Sequence, residues 1–128
     1  MIYLDSSVAL AALLAEPRSP PQAFWTAPLV TSRLLEYETL NRLHARGLGA
    51  AGVAAARKLL DGLAFSELTP SILIRALAPF PTAVRTLDAL HLATMHYLRA
   101  RGQTLRLATY DLRLAAAATA LGFPLVAL

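Results

Sequence analysis

The chain of 128 residues is 56% hydrophobic and 16% charged, has no cysteine and carries a formal net charge of +4. That length is one ordinary domain, able to bury roughly 68% of its unfolded surface without a disulfide or structural metal. The apolar content excludes a disordered chain, and the lack of cysteine excludes a disulfide scaffold, a thiolate zinc site and a cysteine nucleophile.

A mean hydropathy of +0.50 raises the question of a membrane. Ser6–Ala15 is too short to span one, and Leu114–Leu128 is broken by Gly122 and Pro124, whereas a spanning helix needs about 20 apolar residues. Asp5 stands where a secretory leader would be basic. The expectation is a soluble cytoplasmic protein with no membrane association. Eleven Arg and one Lys face eight acids. An arginine excess favours phosphate or carboxylate partners, although a GC-rich coding sequence accounts for it more simply.

In chain order, Met1–Leu4 predicts a strand and Val8–Ala15 a helix capped by Ser6 or Ser7 and stopped by Pro17. Prolines 17, 20, 21 and 28 bracket a helical turn or two at Gln22–Thr26, where Phe24 and Trp25 serve either the core or a partner groove. Leu29–Thr31 predicts a second strand, with Ser32 capping a helix to Arg46 that Gly47 and Gly49 end. A helix over Ala50–Leu63, a strand over Ala64–Thr69 and a helix opened by Pro70 and closed by Pro79 and Pro81 follow. Thr86 caps a helix over Leu87–Arg101, ended by Gly102. Thr104–Thr109 predicts a strand, Asp111–Leu121 a helix and Pro124–Leu128 a last strand. Strands alternating with helices imply one open parallel α/β sheet, a single domain over residues 1–128.

Ligands of such sheets bind outside the carboxyl ends of the strands. Asp5 and Asp111 directly follow predicted strands, Asp88 opens a helix, and Glu38 lies in the second turn of the helix after Leu29–Thr31. Each has an innocent alternative: Asp5 and Asp111 as helix caps, Asp88 as a complement to a helix dipole, Glu38 as an i,i+4 partner of Arg42. The helical wheel leaves the choice between Glu36 and Glu38 open.

The segments MIYLDSSVALAALL, TSRLLEYETLNRL, TLDALHLAT and LATYDLRLAAAATALGFPL resemble the successive motifs of PIN-domain ribonucleases, and more closely the VapC-type toxins of toxin–antitoxin pairs. The resemblance spans essentially the whole chain, and the DALHLA run followed by TYDLRL is its most specific part. It implies a five-stranded parallel sheet of order 3-2-1-4-5 with helices on both faces. It places the acidic site on Asp5, Glu38, Asp88 and Asp111, choosing Glu38 and leaving Glu36 as a surface or partner-contacting residue. Ser7 and Thr109 fall on small hydroxyl positions that support the site by hydrogen bonding. It further implies a VapB-type antitoxin as partner, and homodimers.

Four carboxylates in one cleft must bind protons or cations, since a pair about 5 Å apart repels by roughly 3 kcal/mol at an effective dielectric near 20. All-oxygen ligands select hard ions, so Mg²⁺ or Mn²⁺ is expected, one ion or two. Asp5 and Asp111 are expected to ligate directly, with Asp88 and Glu38 ligating directly or through water. Such an ion acidifies water and neutralises a phosphodiester's developing charge, so in-line hydrolysis leaves a 5′-phosphate and 3′-hydroxyl without a side-chain nucleophile. The expected function is therefore a metal-dependent endoribonuclease, the toxin of a type II pair. The alternative is a non-catalytic PIN-like module that binds RNA or protein, whose mark would be a lost acid; all four stand here.

Other chemistries fit poorly. Ser7 occupies the place of the second Asp of haloacid-dehalogenase-type hydrolases, and the only lysine, Lys58, lies too early for a response-regulator receiver. Dinucleotide, nucleoside-triphosphate and serine-hydrolase motifs are absent. His91 reads as a packed, hydrogen-bonded residue rather than a general base. His91 and His96 sit too far apart around the helix for a zinc pair, and His44 reads as surface. Arg33, Arg85, Arg106 and Arg113 are expected near the site edge or on its flanking elements, where a solvated helix face is the default and phosphate contact the alternative.

Overall fold

The computed structural model describes residues 1–128. Four strands, β1 (Ile2–Leu4), β2 (Leu29–Ser32), β3 (Ala64–Ser66) and β4 (Arg106–Ala108), form one parallel sheet in the order β3-β2-β1-β4. Ile2 pairs with Leu29 on one side and Arg106 on the other. Six α-helices connect them: α1 (Ser6–Leu13), α2 (Leu34–Ala45), α3 (Gly49–Asp61), α4 (Pro70–Leu77), α5 (Thr86–Ala100) and α6 (Leu112–Ala120). Gln22–Thr26 forms a short 3₁₀ turn. No helix is long and apolar enough to cross a membrane.

Because side chains alternate along a strand, β1 feeds both faces of the sheet. Tyr3 packs with Leu92 and Met95 of α5 and Leu114, Ala117 and Ala118 of α6. Ile2 and Leu4 point the other way, among Val8 and Ala9 of α1, Leu35 of α2, Leu60 of α3 and Phe24. The helices thus cover both faces, and Phe24 belongs to the core.

The expected fifth strand is corrected to a single bridge. Leu125 pairs in parallel with Leu107 at the free edge of β4, through Leu107 N–H to Pro124 O and Val126 N–H to Leu107 O, both 2.8 Å. The ladder goes no further because its next rung would fall at Thr109, where the backbone has already left the strand; Pro124 also has no N–H to give. The sheet is therefore four-stranded, with the remnant on the side where a fifth strand was expected. β3 is also shorter than expected, ending at Ser66.

The helix caps differ in detail from the expected ones. Of the candidates Asp5, Ser6 and Ser7, it is Asp5 that caps α1, by accepting from the Ser7 N–H. Ser32 Oγ accepts from the Leu34 N–H at the start of α2, and Thr69 caps α4 with Pro70 behind it. Thr86 is the first residue of α5 and contributes no side-chain cap. Gly47 and Gly102 carry φ of +67° and +92° just past α2 and α5, a conformation in which a Cβ is disfavoured.

Candidate active site

The strand order places β2 on one side of β1 and β4 on the other, so the chain direction of travel across the sheet reverses at β1. A crevice opens at such a switch point, beyond the carboxyl ends of the strands. Asp5 follows β1 there, and Thr109 to Asp111 follow β4.

Asp5 is buried, and its Oδ2 accepts from the hydroxyls of Ser7 (2.6 Å) and Thr109 (2.7 Å) and from the Ser7 N–H (3.3 Å). Ser7 Oγ accepts from the Tyr110 N–H at 2.9 Å, and Thr109 Oγ1 from the Asp111 N–H at 2.9 Å. Two hydroxyls thus tie the ends of β1 and β4 together and fix one oxygen of Asp5. Asp111 caps α6 through Oδ1, which accepts from the N–H groups of Arg113 (2.9 Å) and Leu114 (3.1 Å).

Glu38 does not pair with Arg42. Its Oε1 accepts from Nε2 of His91 at 2.6 Å, and Nδ1 of that ring bonds the Tyr3 hydroxyl at 2.8 Å. His91 is buried with both nitrogens satisfied, the packed role expected of it. Burial draws its pKa down, but the hydrogen bond and charge of Glu38, with Asp5 and Asp88 behind, outweigh burial and leave it raised. Burial, then the charge of Asp5, pushes the Tyr3 phenol up, so it stays neutral.

Asp88, in the first turn of α5, has its carboxyl raised by burial and then by the charges of Asp111 and Asp5. The contributions of Asp111 and Asp5 put the three carboxylates within electrostatic reach of one another. Asp5, Ser7, Glu38, Asp88, His91 and Asp111 all line one cavity of about 930 Å³. Glu36 lies outside it, paired with Arg57 at 2.9 Å and with Arg33 at 3.8 Å.

The arginines redistribute. Arg85 and Arg113 line the cavity, but the Arg33 Nε–H is shared between the two carboxylate oxygens of Glu67 at 2.9 and 3.0 Å, with the guanidinium over the Phe65 ring. Arg106 begins β4, at the opposite edge of the sheet. Arg18 and Arg42 line the cavity and were not anticipated; Arg18 lies in a proline-broken stretch whose path only the fold reveals. For Arg42 the signal was its place one turn after Glu38.

The donor set fits a hard divalent cation, being carboxylate oxygens with no sulfur and one imidazole already engaged. No three of these side chains form a closed ligand set.

The PIN domain family profile matches residues 2–120. Ribonuclease VapC46 of Mycobacterium tuberculosis (strain ATCC 25618 / H37Rv) is 36% identical over 130 residues, covering 98% of this chain and 96% of that protein. Ribonuclease VapC47 of M. tuberculosis (strain CDC 1551 / Oshkosh) is 32% identical over 130 residues, covering 96% and 93%. The crystal structure of M. tuberculosis VapC20, titled a sarcin-ricin loop cleaving toxin, superposes over 100% of both chains with a TM-score of 0.73 at 22% identity, which shows a shared fold.

Proposed function

Because the chain belongs to the PIN-domain family, among its VapC-type ribonucleases, we propose that it is an endoribonuclease acting as the toxin of a type II toxin–antitoxin pair. The observation that carries this reading is the set of acids lining one cavity: Asp5, Glu38, Asp88 and Asp111, from four separate places in the chain. Arg18, Arg42, Arg85 and Arg113 line the same cavity and offer the polyanion its counter-charges.

Asp5 and Asp111 would hold Mg²⁺ or Mn²⁺, with Asp88 and Glu38 completing the set directly or through water. When bound, the ion supplies a Lewis acid for the phosphodiester and lowers the pKa of water. The chain's own residues prepare the site. Ser7 and Thr109 fix Oδ2 of Asp5 and α6 fixes Oδ1 of Asp111, and the other oxygen of each carboxylate makes no hydrogen bond. His91 holds Oε1 of Glu38 in the same manner. Hydrolysis needs no side-chain nucleophile, and the products are a 5′-phosphate and a 3′-hydroxyl.

A cytoplasmic setting, a VapB-type antitoxin that blocks the cavity, and a homodimer belong to the same reading. Support for the homodimer is the apolar outer face of α4, where Ile74 and Leu77 are 69% and 87% exposed.

The test is cleavage of RNA with Mg²⁺ or Mn²⁺, comparing wild type with Asp5→Asn and Asp88→Asn. Wild type is expected to cut and both variants to fail while keeping their circular dichroism. Cleavage that survives both substitutions, or that proceeds in excess chelator, would overturn the mechanism and favour the non-catalytic module.

A further inference from the structure

Seven of the eleven arginines separate by what each guanidinium meets. Arg33 and Arg57 pair with carboxylates, and Arg75 and Arg99 donate to the carbonyls of Pro79 and Leu121. Arg42 and Arg46 are exposed and make no ion pair or side-chain hydrogen bond. Glu38, one turn before Arg42 and its natural partner along the helix, is taken by His91. Arg18 has only the ring of Tyr110, 4.9 Å from the centroid.

These three cations line one groove of about 250 Å³ between α1 and α2, with Glu16 as its single acid. Ser7, Leu10, Arg18 and Arg42 line both this groove and the acidic cavity, so the two are continuous. The end of α2 favours a cation through its dipole, but that leaves Arg18, brought in by a separate segment, without a structural reason. Cations gathered without partners, along a path opening onto a phosphodiester-cleaving site, suit a repeating anion.

We propose that the α1–α2 groove holds the backbone phosphates next to the scissile one, through Arg18, Arg42 and Arg46, so that RNA enters the acidic cavity along this wall. The proposal rests on the endoribonuclease reading, and adds the direction from which the substrate lies.

The experiment measures binding of a fluorescent single-stranded RNA by anisotropy across a salt series, in the Asp88→Asn background without divalent ions. Each phosphate contact on a single strand contributes about 0.7 to the slope of log affinity against log salt. Adding Arg42→Gln and Arg46→Gln together is expected to make the slope shallower by about 1.4, and Arg18→Gln alone by about 0.7. Arg106→Gln, at the far edge of the sheet, is expected to leave it unchanged. If the parent binds RNA with a steep slope and the groove variants keep it, the groove is not the RNA path. That outcome would leave an acidic polypeptide as its occupant, and the nuclease reading would stand. If the parent binds no RNA and wild type with Mg²⁺ or Mn²⁺ leaves RNA intact, both readings fall.

Discussion

Asp88 shows at one residue how a site of this kind opposes the stability of its own fold. Its carboxyl is raised above the ordinary range of an aspartate, by burial first and then by Asp111 and Asp5. An acid raised in this way binds its proton more tightly folded than unfolded, so the ionised form weighs against folding. The favourable balance is fully present below the unfolded pKa and is lost as pH rises through the folded one. Without metal, Asp88→Asn is therefore expected to melt above wild type at pH 7, and the difference to close near pH 4. Thermal unfolding in chelator at the two pH values measures this, and a wild type more stable than the variant at pH 7 would contradict it. Asp5, Asp88 and Asp111 were legible in the sequence because each sits at a strand end or helix start, whereas Glu38, in the second turn of α2, was separated from Glu36 only by the family resemblance. Arg18 and Arg42 were not, because an arginine's role depends on what the fold sets beside it. Arg106 lies on a strand that flanks the site but at its start, whereas the site lies beyond the strand's end.

At the scale of elements, capping and site chemistry are not rivals, because a carboxylate has two oxygens. Asp111 caps α6 with Oδ1 and lines the cavity, and Asp5 caps α1 while doing the same. The capping reading of Asp5 and Asp111 holds, and it leaves room for the proposed metal-binding role of the same two residues. The two parts can be separated at Asp111. Asn keeps an acceptor for the N–H groups of Arg113 and Leu114, whereas Ala removes it; a lost cap costs about 1 kcal/mol. Asp111→Asn is expected to abolish cleavage at nearly wild-type stability in urea. Asp111→Ala is expected to abolish cleavage and also lose about 1 kcal/mol. Equal stability of the two variants would show that the cap contributes nothing. Helix order and parallel pairing followed from alternating patterns and proline or glycine stops. The last strand did not, because its pairing depends on where β4 turns aside at Thr109, a tertiary fact that an apolar run cannot reveal.

Taken whole, the molecule shields its sheet on both faces yet leaves one helix face apolar and uncovered. On α4, Ile72 is fully buried while Leu73, Ile74 and Leu77 are 43%, 69% and 87% exposed. Beyond it, Pro79, Phe80, Pro81 and Val84 help line a mainly apolar cavity of about 720 Å³ that meets the acidic site at Arg85 and Thr86. Contiguous exposed apolar surface marks an interaction face, and a second copy would cover such a face with one self-complementary patch. In the proposed homodimer that patch is centred on α4, and the second copy stands beside the mouth of each acidic cavity. Wild type is expected to sediment at twice the 13.7 kDa chain mass. Leu77→Glu is expected to sediment as a single chain with unchanged circular dichroism, because Leu77 contributes almost nothing to the core. A wild type that stays monomeric, or a Leu77→Glu variant that stays dimeric, moves the interface away from α4.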